Sequence, residues 1–177
     1  MTAKHVMVDL ETLGTRPGDT ILSIGAVKFD QDTGLGETFY LTINPESSRE
    51  AGLRAQKSTV EWWDQQSPEA KAAAFKGEFS LEAALLKLTM WMPPLEEVRV
   101  WGNGANFDNT LLAAAYRIKK LDLPWHYWND RCYRTISSMF MKTKVERVGT
   151  GHHALDDATT QALRLLKMAE QGKFQLM

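Results

Sequence analysis

Acidic and imidazole side chains crowd one short stretch near the end of the chain, Gly149-Thr150-Gly151-His152-His153-Ala154-Leu155-Asp156-Asp157-Ala158, beside the start of an amphipathic helix. Two more acids, Asp9 and Glu11, stand at the opposite end of the sequence, and Asp108 follows Asn106 and Phe107 in the middle. Carboxylates are hard oxygen donors suited to Mg²⁺ and Mn²⁺, and an imidazole that titrates near neutrality can move a proton. If the fold joins the three segments, four carboxylates and one imidazole can bind two divalent cations and activate a water for phosphodiester hydrolysis. That chemistry exists only if the two ends of the chain meet.

The surrounding elements must bring them together. His5 to Glu11 alternates His5, Met7, Asp9 and Glu11 with Val6, Val8 and Leu10, which is strand periodicity. Asp9 and Glu11 therefore share one face, close enough to approach one cation. Gly14 to Asp19 breaks the strand, and strands are expected over 20–29 and 38–43, separated by the turn-rich 30–36 as in an antiparallel meander. Asn44 and Pro45 end that pattern. Ser58-Thr59-Val60-Glu61 has the form of a capping box, Ser67-Pro68 starts a second helix, and Ser80 caps a third with a stripe of Leu81, Ala84, Leu85 and Leu88 that stops at Pro93-Pro94. A strand over 98–101 leads into Gly102-Asn103-Gly104, and a helix from Asp108 puts that acid at a strand-to-helix junction. The stretch 125–133 reads as a short strand or an aromatic loop, and a helix follows over 135–141. The last helix carries Ala158, Ala162, Leu165 and Ala169 on one face and ends near Gln171-Gly172.

With 177 residues, 44% of them hydrophobic and 24% charged, residues 1–177 read as one globular domain with neither disorder nor a fibrous repeat. No apolar run reaches the roughly 18 residues of a spanning helix, and residues 1–5 lack a secretory apolar core, so a cytoplasmic protein without membrane contact is expected. Cys132 is the single cysteine, which excludes an internal disulfide and a thiolate zinc cage; a small buried hydrophobe is its expected role. The formal charge of −1 argues against bulk electrostatic nucleic-acid binding. Residues 117–147 nevertheless hold eight basic side chains against three acidic ones.

The order of these elements and motifs resembles the ribonuclease-H-like α/β fold in its DEDDh version, the 3′-to-5′ exonucleases that include the proofreading subunit of DNA polymerase III, ribonuclease T and oligoribonuclease. Asp9-Leu10-Glu11-Thr12, Asn106-Phe107-Asp108 and His152-His153-Ala154-Leu155-Asp156-Asp157-Ala158 carry the likeness, in the family's order over nearly the whole chain. The Trp62-Trp63-Asp64-Gln65-Gln66-Ser67 stretch and the doubled histidine extend it to small phage and prophage exonucleases and to a mycobacterial exoribonuclease branch. The resemblance implies a central mixed sheet of about five strands flanked by helices, two Mg²⁺ or Mn²⁺ ions held by Asp9, Glu11, Asp108 and Asp157, and His152 as general base. The family pattern puts its histidine five residues before the last acid, which leaves His153 and Asp156 at variable positions; a tyrosine-type relative would carry tyrosine where His153 stands.

The expected substrate is the 3′ end of single-stranded DNA or RNA, released as nucleoside 5′-monophosphates. By the same resemblance the Thr12 backbone holds the terminal sugar and Leu13 wedges a base, although strand-end packing is an equal alternative for Leu13. Trp62 and Trp63, about 100° apart on a helix, can divide between core packing and base stacking. Asn103 and Asn106 can contact substrate or shape the turn around Gly102 and Gly104. A homodimer fits the habit of the resembling groups. Three rival readings are an endonuclease on the same fold, a catalytically silent nucleic-acid-binding module and a zinc-centred hydrolase, the last opposed by the lack of an H-E-x-x-H pattern and by the adjacent histidines belonging to the matched motif.

Overall fold

Alternation at the start of the chain builds a strand at the centre of a mixed sheet. The structure, a computed structural model, describes residues 4–104 and 106–176. β1 (His5–Thr12) pairs antiparallel with β2 (Ile21–Asp30), which pairs antiparallel with β3 (Gly34–Thr42). On its other side β1 runs parallel to β4 (Arg99–Gly102), and β4 runs parallel to β5 (Asp130–Cys132), giving the order β3-β2-β1-β4-β5. The carboxyl ends of the three parallel strands therefore meet at one end of the sheet, the usual place for ligands in α/β folds.

The two faces of β1 follow the alternation in its sequence. Val6, Val8 and Leu10 pack with Ile24 and Ala26 against α4 (Leu81–Trp91) and α5 (Asp108–Ile118), through Leu85, Leu88, Leu111, Leu112 and Ala115. Met7 on the other face joins Val27, Phe29 and Trp101 under α6 (Tyr133–Met139) and α7 (Ala154–Glu170). Ala158, Ala162 and Leu165 of α7 are fully buried, as their spacing requires, and burying each large side chain of these clusters contributes about 1.5–3 kcal/mol. His5 sits at the far end of this face, where it accepts a hydrogen bond from Trp101 Nε1 (3.1 Å), and burial pushes it down to about 4, a structural histidine neutral at physiological pH.

Several boundaries differ from the sequence reading. β3 starts at Gly34 rather than near residue 38, because the hairpin needs only a short turn after Asp30. A helix α1 (Pro45–Glu50) follows Asn44, whose side chain accepts from Glu46 N. The expected capping box is not formed: α2 (Lys57–Asp64) begins one residue before Ser58, with Gln56 at the cap and no side-chain bond there. Ser67 and Ser80 do cap α3 (Pro68–Ala74) and α4, accepting from Ala70 N and Ala83 N. The ambiguous aromatic stretch resolves into a single 3-10 turn at Tyr127–Asn129 followed by β5, and α6 starts two residues earlier than expected. Cys132 is half-buried, and its Sγ accepts from Thr135 N at the start of α6. No helix among the described residues is long and apolar enough to cross a membrane.

Candidate active site

The two ends of the chain meet because α7 lies directly on β2. Gly25 is paired with Asp9 across the β1–β2 ladder, and any Cβ at residue 25 would overlap the backbone of Ala154 and Leu155. That close approach puts the first turn of α7, with Asp157, beside Asp9 and Glu11. His153 is the N-cap of α7: its Nδ1 accepts from Asp156 N (3.4 Å), and its ring stacks on Tyr40 with centroids 4.3 Å apart. The doubled histidine thus divides, with His153 holding the helix start and His152 turned towards the acids. Asp156 accepts from Thr150 N (2.8 Å) and braces the preceding loop, where Gly149 has φ +56°.

His152 adopts φ +60°, unusual for a residue with a Cβ, and its backbone N–H donates to Asp157 Oδ2 (3.1 Å). Its exposed ring meets the Trp62 ring edge-on, with centroids 4.8 Å apart. Glu11, His152 and Asp157 each offer a ligand atom, all within 4.8 Å of one another. Asp9 flanks this trio, its Oδ1 accepting from Gln161 Nε2 (2.7 Å).

Asp108 arrives from the other side of the sheet. It opens α5 and is almost fully buried; Oδ1 accepts from Leu10 N (3.1 Å) and Oδ2 from Asn103 N (2.6 Å), so it ties the ends of β1 and β4 together. Gly102 makes room for it, since a Cβ there would lie 3.0 Å from the Asp108 Cβ and 2.6 Å from Asn109 Oδ1.

Burial raises the proton affinity of all four acids, and at Asp9 and Glu11 the neighbouring acids raise it further. Burial, then Asp108, Glu11 and Asp157, push Asp9 well above the usual carboxylate range. Glu11 is pushed up to about 8, first by burial and then by Asp157 and Asp108, with Arg147 opposing. Burial also raises Asp108, against the backbone N–H groups of Asn103 and Leu10, and raises Asp157, against Arg147 and the His152 backbone. A buried carboxylate cluster is stabilised by bound cations. All-oxygen donors with one imidazole beside them fit hard divalent ions such as Mg²⁺ or Mn²⁺.

The acids open into a cavity of about 770 Å³ lined by Asp9, Glu11, Thr12, Trp62, His152 and Asp157, together with Ser58, Thr59 and Arg134. The candidate substrate residues separate here. Thr12 lines the cavity, and its carbonyl accepts from Trp63 Nε1 (2.8 Å). Trp63 itself is 2% exposed and packs with Leu22, Ala70 and Ala74, so it anchors the strand end instead of facing a base. Leu13 packs against that same cluster and is not among the cavity residues. Trp62 is 39% exposed in the cavity wall. Asn103 lines the cavity, whereas Asn106 is exposed outside it. Gln161, Arg134 and Arg147 join the site without being sequence candidates for it; Gln161 lies one helical turn after Asp157 and so on the same face of α7, and both arginines fall in the basic stretch 117–147.

The family model described as the 3′-5′ exoribonuclease Rv2179c-like domain matches residues 4–168. The chain belongs to that family. It is a 3′-to-5′ exonuclease, a phosphodiester hydrolase. An exodeoxyribonuclease of Enterobacteria phage T4 is 25% identical over 155 residues, covering 73% of this chain and 68% of the phage protein. Among solved structures, the nuclease domain of 3′hExo, a DEDDh family member bound to rAMP, superposes with a TM-score of 0.65 at 14% identity, covering 97% of this chain and 94% of that one. Pop2p of S. pombe, in a form with Mg²⁺ and Mn²⁺ bound, gives a TM-score of 0.63 at 15% identity over 96% of this chain and 84% of that one. The Rv2179c-like domain therefore has the ribonuclease-H-like fold of the DEDDh nucleases, and divalent metal use agrees with its acid cluster.

Proposed function

We propose that this Rv2179c-like domain removes nucleoside 5′-monophosphates one at a time from the 3′ end of a single strand, with Asp9, Glu11, Asp108 and Asp157 holding two divalent ions and His152 as general base. The observation that carries the reading is the convergence of Glu11, His152 and Asp157 within 4.8 Å beside Asp9 and Asp108, at the carboxyl end of the parallel strands. When bound, the two cations would supply charge stabilisation at the attacking and departing oxygens. His152, exposed on its loop and next to Glu11 and Asp157, takes the proton of the attacking water on a ring nitrogen. The hydrogen bond from the His152 backbone to Asp157 Oδ2 and the edge of Trp62 keep that ring at the cavity wall. Asp108 fixes the ends of β1 and β4, so Asp9 and Glu11 keep their spacing from the helix that carries Asp157.

At the substrate end, Thr12 closes the cavity beside Glu11, and its position is set by the Trp63 hydrogen bond. Ser58 and Thr59 at the start of α2 line the same cavity as the acids, and their hydroxyls are donors and acceptors suited to a terminal sugar. The exoribonuclease description of the family favours RNA, and the phage relative's name supports testing DNA beside it.

The deciding experiment separates the products of matched RNA and DNA single strands by chromatography in Mg²⁺, Mn²⁺ or EDTA. Metal-dependent release of 5′-mononucleotides supports the proposal and ranks the two substrates. Short oligonucleotides from internal cuts would identify an endonuclease, and intact substrate bound by folded protein would identify a silent binding module.

A further inference from the structure

Arg147 is paired with Asp157, one of the clustered acids. Its Nη2 forms an ion pair with Asp157 Oδ1, while Asp157 Oδ2 is bonded to the His152 backbone. The Asp157 side chain is only 15% exposed, whereas that of Arg147 is 52% exposed, so one end of the guanidinium presses on the acid and the rest faces the open cavity. Gly151 supplies the room: a Cβ there would stand 3.2 Å from Nη2 and 3.5 Å from the guanidinium carbon. Arg134, the other arginine in the cavity wall, stands towards the opposite side, where its Nε donates to Asn103 Oδ1 (3.4 Å). Arg147 alone among the described residues forms an ion pair with one of the four clustered acids.

Two cations cannot both bear closely on one carboxylate oxygen without repelling each other. A guanidinium matches a phosphate as well as a carboxylate, with two parallel N–H donors for either. The side chain is long, half in solvent and set against a glycine, so it can leave Asp157 without disturbing the fold. We propose that Arg147 is an exchange residue that couples metal loading to substrate. Without substrate it holds Asp157; with a single strand in the cavity its guanidinium turns onto the nonbridging oxygens of the 3′-terminal phosphodiester, and Asp157 is released to bind metal. The proposal rests on the exonuclease reading of the site and adds a residue and an order of events to it. Coupling of this kind is reciprocal, so metal and nucleic acid must each tighten the binding of the other.

The test is a Mn²⁺ titration followed by electron paramagnetic resonance, on wild type, Arg147→Ala and Arg147→Lys, with and without a single strand carrying a phosphorothioate at its 3′-terminal linkage. In the absence of the oligonucleotide, Arg147→Ala should bind Mn²⁺ about tenfold more tightly than wild type, because its competitor at Asp157 is gone. The oligonucleotide should tighten Mn²⁺ binding about tenfold in wild type and far less in Arg147→Ala. Arg147→Lys should still compete with Mn²⁺ but lose most of the tightening, since an ammonium lacks the planar pair of donors. Equal Mn²⁺ affinity in wild type and Arg147→Ala, or equal tightening by the oligonucleotide, overturns the proposal while leaving the exonuclease reading intact. Wild-type protein that neither binds Mn²⁺ nor shortens RNA or DNA overturns both.

Discussion

Replacing Glu11 with glutamine probes the electrostatic cost of assembling the site. In the metal-free protein burial comes first, then the neighbouring acids, in moving Glu11 from its ordinary 4.5 to about 8. Between those values the folded protein keeps a proton that the unfolded chain has lost. The unfolded state binds fewer protons there, so stability falls as pH rises from about 4.5 through about 8 and levels off above. At about 1.4 kcal/mol per pH unit the ceiling for this one group is ~5 kcal/mol. Half of that, for a domain of this size, lowers Tm by about 5–10 °C. Thermal denaturation in EDTA from pH 4.5 to 8.5 reads the effect directly. Wild type should lose stability across the range, and Glu11→Gln should show a shallower slope and a higher Tm at pH 8. Added Mn²⁺ at pH 8 should restore wild type and raise the variant little. Parallel curves for the two proteins, or a wild-type Tm that rises with pH, would refute the argument that Glu11 is a buried acid whose ionisation costs stability.

Other substitutions separate chemistry from architecture. His152→Ala should slow hydrolysis by about 10²-fold or more in single-turnover assays with Tm unchanged, because the side chain is exposed. Gly25→Val should cost at least about 1–3 kcal/mol in urea unfolding, since its side chain would collide with the backbone at the start of α7. Trp63→Phe removes the donor to the Thr12 carbonyl in a buried cluster and should cost about 1–3 kcal/mol, with KM rising as the strand end loosens. Trp62→Ala should instead leave Tm within about 1 °C and lower kcat by freeing the His152 ring, because Trp62 is partly exposed and contributes little to the core.

The acids were legible in the sequence because each sits where local pattern is strong. Asp9 and Glu11 share a face through strand alternation, Asp108 marks a strand-to-helix junction, and Asp157 lies in the first turn of the most regular helix. The core stripe of α7 was readable for the same reason. Less was visible where long-range packing decides. Nothing local to Gly25 announces that a helix more than 120 residues away rests on it. The split between Trp62 and Trp63 depends on which way α2 faces, and α2 begins at Gln56 without using the capping signal at Ser58. Helix α1 starts at Asn44-Pro45, a cap followed by a first-turn proline, but the same pair is an ordinary strand ending, so the local pattern does not by itself announce a helix. Arg147 belonged to a linear cluster of basic residues, and only the folded loop sets it against Asp157.

The most direct test of the site as an exonuclease centre follows 5′-end-labelled single-stranded RNA and DNA on a denaturing gel, with Mn²⁺ or EDTA, for wild type and Asp157→Asn. Wild type should give a one-nucleotide ladder that shortens from the 3′ end only with metal, and Asp157→Asn, folded to the same Tm or higher in EDTA, should leave the strand intact. A ladder that persists in Asp157→Asn, or one that forms in EDTA, would contradict the assignment of these acids to metal-dependent hydrolysis.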